Sequence, residues 1–355
     1  MTIYINGKYL TQRLTGVQRY AFEITKALVS LEVDVKVIIP SFLETTEIDL
    51  PGHVLLPLDG CKSIILWEQL TIARFLKNKN DYILLNLCNI GTLFNKNQVL
   101  CIHDMTYRVD PKWFSWAFSK YYQFMIPKLV RIAREIVTVS EFSKKEIADH
   151  LDVSKDRITV IYNAPSNDFV YSSVENIVCN KEDFFLFVGS MHPRKNINLL
   201  IKLFSLEEFR NQRLVVVGAK SKEFAEVDFD LPTNVEVFDK CNDSQLASLY
   251  LRAKALLNPS IYEGFGIPIV EAMASGCPLI ISDIQVFKEI AGDGAIYFNP
   301  NSLMSLKNAF NTFLSKSQEE VTHIIQSNFT RSKEFTWERS AKKLLDLINK
   351  SQWVG

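Results

Sequence analysis

Asn258-Pro-Ser-Ile-Tyr-Glu-Gly-Phe-Gly-Ile-Pro-Ile-Val-Glu-Ala-Met-Ala-Ser-Gly-Cys-Pro278 holds a strand end, a glycine turn and a helix start in direct succession. The apolar run Ala255–Pro259 reads as a strand ending at Asn258. Gly264-Phe-Gly266 makes the turn, and Pro268 suits the first position of a helix reaching Ser275. The unpaired N–H groups of that helix start can hold sugar hydroxyls or an anion. Glu263 lies on the loop and Glu271 one turn into the helix, so two carboxylates frame the helix N-terminus. They are placed to grip a polyhydroxylated ligand. The plainer alternative is that both glutamates only complement the helix dipole.

Outward from this stretch, short β-branched runs alternate with amphipathic ones. Upstream, Phe184–Val188, Leu214–Val217 and Val235–Phe238 read as strands, with Asn198–Leu206 and Asp243–Ala253 as helices; downstream, Pro278–Ser282 is a strand. The first half repeats the pattern. Val33–Pro40, Tyr82–Leu87, Val99–His103, Glu135–Ser140 and Ile158–Tyr162 read as strands. Gln18–Leu31, Ile64–Lys77, Trp113–Arg134 and Ser143–His150 read as helices, with Ser143 and Glu146 at capping-box spacing. The polar segment Ser166–Asp183 interrupts the alternation as a linker. The expectation is an α/β protein of two doubly wound parallel sheets, with ligands beyond the carboxyl ends of the strands and between the domains.

Composition narrows the function. Among 355 residues, 40 Lys+Arg balance 40 Asp+Glu, and this absence of a basic excess speaks against nucleic acid as a partner. Cys61, Cys88, Cys101, Cys179, Cys241 and Cys277 form no C-x-x-C pair, which argues for free thiols in a reducing compartment over a zinc cluster or disulfide framework. Met1–Gly16 has no signal-peptide pattern, and no apolar run is long enough to span a bilayer. A cytoplasmic protein is expected, and a peripheral place on the inner face of the plasma membrane remains compatible with this.

Glu263 and Glu271, with seven residues between them, resemble the E-x7-E motif of the glycosyltransferase family 4 group. Residues 259–282 resemble that group almost residue for residue. Phe187-Val-Gly-Ser-Met-His-Pro-Arg-Lys-Asn-Ile-Asn-Leu-Leu200 is similar to its second signature. Thr138–Lys144, Val160–Asn163 and Ile102-His-Asp104 match further elements in order. The resemblance implies the GT-B fold, two Rossmann-like domains facing across a cleft. Residues 1–170 would form the acceptor-side domain and 171–335 the nucleotide-sugar-binding domain, with 336–355 a helix returning to the first. It also implies a retaining hexosyltransferase that needs no metal and no cofactor, the nucleotide-diphosphate sugar being a substrate. The acceptor would be a glycan or a polyprenyl-linked carrier in O-antigen or capsule synthesis, with mannose the preferred sugar. Alternatives are a sugar-nucleotide epimerase of the same fold and a non-catalytic sugar-binding scaffold. A nicotinamide dehydrogenase lacks support, because G-x-G-x-x-G is missing from Asn6–Gly16.

The same resemblance assigns roles. Arg194 and Lys195 would stabilise the departing diphosphate, although an Arg-Lys pair in a loop is by default two solvated charges. Glu263 with Gly264, Phe265 and Gly266 would hold the sugar, and Glu271 the ribose hydroxyls. His103 would touch the sugar near the reacting carbon, with Asp104 on the opposite strand face. Gly16 allows close approach of donor phosphate or acceptor; Arg19 is either a phosphate contact or a helix-face charge. Two departures stand out. The loop before the first helix holds a single glycine, Gly16, and Phe238-Asp-Lys-Cys241 replaces a Leu-Gly turn near the base. Asp228-Phe-Asp230 is a weak candidate for a metal site. The aromatic and basic stretch Tyr107–Arg134 reads either as a core helix with solvated charges or as a surface for a lipid-linked acceptor or membrane.

Overall fold

The computed structural model describes residues 1–12, 15–43, 50–170, 181–218, 231–239 and 241–351. The chain forms two compact units, one of Met1–Asn163 with Trp337–Gly355 and the other of Ala164–Thr336.

The first unit is built on a seven-stranded sheet in the order β3-β2-β1-β4-β5-β6-β7, parallel at every described pairing. Its strands are β1 (Thr2–Asn6), β2 (Val35–Pro40), β3 (Leu55–Leu58), β4 (Tyr82–Asn86), β5 (Gln98–Cys101), β6 (Glu135–Thr138) and β7 (Ile158–Val160). The second unit holds six, in the order β10-β9-β8-β11-β12-β13, also parallel. These are β8 (Phe185–Val188), β9 (Leu214–Val217), β10 (Val235–Phe238), β11 (Leu256–Asn258), β12 (Leu279–Ser282) and β13 (Ala295–Phe298). Central strands such as Phe-Leu-Phe-Val and Leu-Val-Val-Val are apolar without alternation because helices cover both faces. In each sheet the strand order reverses beside the first strand, between β1 and β4 and between β8 and β11. Loops leaving the carboxyl ends there diverge and open a crevice.

Core packing anchors these switch points. In the second unit Phe185, Phe187, Leu200, Phe204 and Phe310 are buried together, the Phe185 and Phe310 rings 4.5 Å apart. Gly218, just past β9, lies so close to the Gly189 carbonyl, just past β8, that a Cβ would collide with it.

The helix Trp337–Ser351 belongs to the first unit. Trp337, Ala341, Leu344 and Ile348 are buried at helical spacing. They form the inner stripe of a helix that packs on helix Gly16–Ser30, where Tyr20, Ala21, Ile24 and Leu28 are likewise buried. Ser340 Oγ donates to the Tyr162 carbonyl at 2.7 Å.

Several expectations change in detail. The units part after Asn163, earlier than the boundary expected at 170. The reason is Phe169: it is fully buried, 5.8 Å from the Tyr250 ring, and its carbonyl accepts from Ser275 Oγ. The linker residues 171–180 lie outside the described residues. Ser140, not Ser143, caps helix Glu141–Leu151, accepting from the Ser143 amide. Pro268 is the second residue of helix Ile267–Ala274, one place later than expected. Strands β1, β3 and β13 are given no bounds by the sequence reading; β3 and β13 are short edge strands, and Pro57 breaks the pattern of β3.

Replacing Leu344 with Ala should empty one position of the helix–helix seam and lower the stability of the first unit by about 2–5 kcal/mol. Denaturant unfolding of this variant should show the loss. A variant as stable as the parent would mean that the seam contributes little.

Candidate active site

Two loops leave adjacent carboxyl ends at the switch point of the second unit. After β8 the chain turns at Gly189 into the 3-10 turn Pro193–Lys195, where His192 is the N-cap and the left-handed Asn196 (φ 53°) ends the turn. Asn196 Nδ2 donates to the Pro300 carbonyl at 2.9 Å, tying this loop to the segment after β13. After β11 the chain runs through Ser260 to Gly266, whose φ of 104° is left-handed and suits glycine. The loops are fastened to each other: the Ile261 amide donates to the Arg194 carbonyl at 2.9 Å, and Arg194 Nη1 to the Tyr262 carbonyl at 3.3 Å.

This fastening brings Arg194, Lys195 and Glu263 into one cluster. Glu263 Oε2 pairs with Arg194 Nη1 at 2.5 Å, while Oε1 pairs with Lys195 Nζ and accepts from Ser260 Oγ at 3.0 Å. Lys195 and Glu263 are 7% and 6% exposed, so this is a nearly desolvated ion cluster. Burial alone would raise the Glu263 pKa; the Arg194 and Lys195 charges outweigh it and hold the carboxyl at about 2. Two cations and one carboxylate leave the cluster with net positive charge, suited to an anionic ligand.

Gly264, Phe265 and Gly266 are buried and lead into helix Ile267–Ala274. Glu271, five residues into that helix, is 5% exposed and accepts a hydrogen bond from Tyr250 Oη at 3.0 Å. Ser260 and Tyr250 were not singled out in the sequence. Ser260 sits inside the quoted stretch, but nothing in the pattern separates its hydroxyl from a turn residue. Tyr250 lies in another helix with only an apolar period to mark it.

The first unit holds the other two candidates. Gly16 is exposed at the start of helix Gly16–Ser30, and Arg19, one turn on, pairs with Glu23 at 3.9 Å. His103 follows β5 and is 5% exposed. Its amide donates to Asn89 Oδ1 at 2.8 Å and its carbonyl accepts from Ser143 Oγ at 3.0 Å. Nε2 lies 2.8 Å from the Leu87 carbonyl and 3.5 Å from Cys101 Sγ. Donation to that carbonyl puts the proton on Nε2 and leaves Nδ1 as an acceptor. Burial lowers the pKa of His103 despite the opposing Leu87 carbonyl and Asp104, which favours neutral imidazole. The Tyr20 ring meets the imidazole edge to face at 4.9 Å and the Trp337 ring at 5.9 Å. Asp104 Oδ1 accepts from the Thr106 amide at 3.0 Å; both His103 and Asp104 lie past the end of β5. Asp228, Asp230 and Lys240 lie outside the described residues.

Two doubly wound units, with a basic cluster at the switch point of the second, define an α/β protein suited to an anionic ligand. Comparison with known proteins agrees. Residues 14–165 match the family model Glycosyltransferase Family 4, and residues 174–330 match Glycosyl transferases group 1. The chain belongs to the glycosyltransferase family that these two domains characterise. It is 35% identical over 221 residues to the O-antigen chain mannosyltransferase RfbU of Salmonella typhimurium, spanning 60% of each chain. It is 26% identical over 265 residues to O-antigen chain mannosyltransferase B of Escherichia coli, spanning 70% of this chain and 69% of that one. The crystal structure of WaaG, a glycosyltransferase involved in lipopolysaccharide biosynthesis, superimposes with a TM-score of 0.72 at 17% identity. It covers 98% of this chain and 99% of WaaG, which establishes the GT-B fold.

Replacing Glu263 with Gln should strand two cations in a nearly dry site. Because folding depresses the Glu263 pKa from 4.5 to about 2, its contribution is present above pH 4.5 and lost as pH falls through 2. The variant should therefore be less stable at pH 7 by about 3 kcal/mol, with a flatter acid limb between those pH values. Equal stability of variant and parent across this range would show that the cluster does not act as a unit.

Proposed function

We propose that the protein is a retaining, metal-independent glycosyltransferase. It moves a hexose, mannose for preference, from a nucleotide-diphosphate sugar to a glycan or polyprenyl-linked acceptor in the assembly of cell-surface polysaccharide. The observation that carries this reading is the Arg194–Glu263–Lys195 cluster at the carboxyl ends of β8 and β11. Cleavage of the donor's glycosidic bond builds negative charge on the leaving diphosphate. Cations fixed before the reaction stabilise that charge without reorganisation. Arg194 and Lys195 are so fixed, because Glu263 stays ionised and holds both. Glu263 with Gly264, Phe265 and Gly266 receives the sugar, Glu271 the ribose, and Gly16 lies against donor phosphate or acceptor. His103, neutral and held through its amide, carbonyl and Nε2, offers Nδ1 to a sugar hydroxyl. The names of RfbU and mannosyltransferase B support mannose and O-antigen.

In an assay with a panel of nucleotide sugars, excess chelator should leave transfer unchanged, and the anomeric configuration of the donor should be kept in the product. Arg194→Ala or Lys195→Ala should lower kcat about 10²–10³-fold, the scale of about 2.7–4 kcal/mol for losing one such contact. Strict dependence on Mg²⁺ or Mn²⁺, or an inverted anomer, would overturn the mechanism. Conversion of the donor without acceptor would point to an epimerase, and binding without turnover to a scaffold.

We also propose that the protein works on the cytoplasmic face of a membrane. Among the described residues no helix is long and apolar enough to cross one. The helix Trp116–Ile132 buries Met125, Ile126, Leu129 and Val130 on one side. Its outer side exposes Trp116, Lys120, Phe124 and Lys128 at four-residue spacing, with Trp116 77% and Phe124 57% exposed. Lys128 Nζ lies 3.5 Å from the centre of the Phe124 ring. Such an aromatic and cationic stripe suits an anionic headgroup layer. The protein should float with vesicles containing anionic lipid, less so at high salt, and Trp116→Ala with Phe124→Ala should weaken this. Flotation with purely zwitterionic vesicles to the same extent, or none at all, would count against the stripe.

A further inference from the structure

We propose that Tyr250 is a positioning residue that sets the selectivity for ribose by orienting the Glu271 carboxylate. This rests on the reading above that Glu271 receives the ribose hydroxyls.

The last torsion of a glutamate side chain is broad and nearly two-fold, so an unanchored carboxylate presents its oxygens in many directions. Vicinal hydroxyls of a ribose are well bound only if the acceptor lone pairs already point at them. Otherwise binding must supply the ordering. Glu271 is 5% exposed and Tyr250 fully buried, and Tyr250 Oη reaches Oε2 at 3.0 Å. A carboxylate has about four acceptor sites. The hydrogen bond from Tyr250 restrains Oε2 and so biases the direction in which the group presents its other lone pairs.

The donor is itself held. Tyr250 belongs to helix Asp243–Arg252, which opens with a full capping box between Asn242 and Gln245 and packs on helix Ile267–Ala274, the helix of Glu271. Its ring meets Phe169 edge to face at 5.8 Å and 81°. Burial first, then the negative charge of Glu271, raises the Tyr250 pKa, so the hydroxyl keeps its proton and acts as donor at any physiological pH. A phenylalanine in its place would preserve the ring and its packing and remove only the orienting bond. Tyr250 touches no reacting atom on this reading, so chemistry at the sugar should be spared.

The experiment is calorimetry with whichever of GDP, UDP or ADP the protein binds, together with the 2′- and 3′-deoxy analogues, on the full chain and on Tyr250→Phe and Glu271→Gln. The expected result is a preference for the ribonucleotide in the parent, lost in Glu271→Gln and reduced about 5–10-fold in Tyr250→Phe. That figure is the scale of one ordinary net hydrogen bond. In turnover, Tyr250→Phe should raise the donor KM and leave kcat near the parent value. If the parent already binds ribo and deoxy forms equally, the ribose assignment of Glu271 fails and this inference with it. If the parent discriminates, Glu271→Gln does not, and Tyr250→Phe discriminates fully, the role of Tyr250 alone is overturned. Should Tyr250→Phe not fold, Phe169→Leu loosens the ring while keeping the hydroxyl. Weakened discrimination there supports the proposal, and unchanged discrimination overturns it.

Discussion

One carboxylate shared between two cations organises the second unit. Glu263 comes from the loop after β11, Arg194 and Lys195 from the turn after β8, and the strands that deliver them are neighbours only because the strand order reverses there. Lys195 and Glu263 are nearly dry, and neither charge would be tolerable alone. Together they fasten two loops that the divergence of the helices would otherwise let drift. The amide of Ile261 and the carbonyl of Tyr262 add backbone bonds to the same clasp. The clasp thus converts a topological gap into a rigid, positively charged rim. The helix Ile267–Ala274 and Glu271 inherit their position from it.

The first unit solves a different problem. His103 has no ionic clasp; it is held by neutral hydrogen bonds at its amide, carbonyl and Nε2, and by the Tyr20 ring. Neutral restraint suits an imidazole that burial keeps uncharged.

Much of this was legible in the sequence, for identifiable reasons. Strands buried on both faces announce themselves as unbroken apolar runs, and the positions of β8, β9, β11 and β12 followed within a residue or two. The short edges did not: β3 carries Pro57, and β13 is half-buried, so neither has the contrast that periodicity detects. Arg194, Lys195 and Glu263 were singled out through the family resemblance of their motifs, since an Arg-Lys pair in a loop reads by itself as two solvated charges. Their mutual pairing was not legible, because residues 68 apart in sequence become neighbours only through strand order. Tyr250 and Tyr20 illustrate the limit. As sequence they are large apolar residues at helical spacing, and only packing reveals what their hydroxyl or ring adjoins.

The helix Trp337–Ser351 makes the second unit, in effect, an insertion within the first. Ala164–Thr336 is one continuous run, whereas the first unit is split between the two ends of that run. During synthesis the second unit can therefore close on itself as soon as its residues have left the ribosome. The first unit, although begun earlier, must wait. Until residues 337–351 emerge, the face of helix Gly16–Ser30 on which that helix packs, where Tyr20 meets Trp337, lacks its cover. The half of the protein translated first is thus the half completed last.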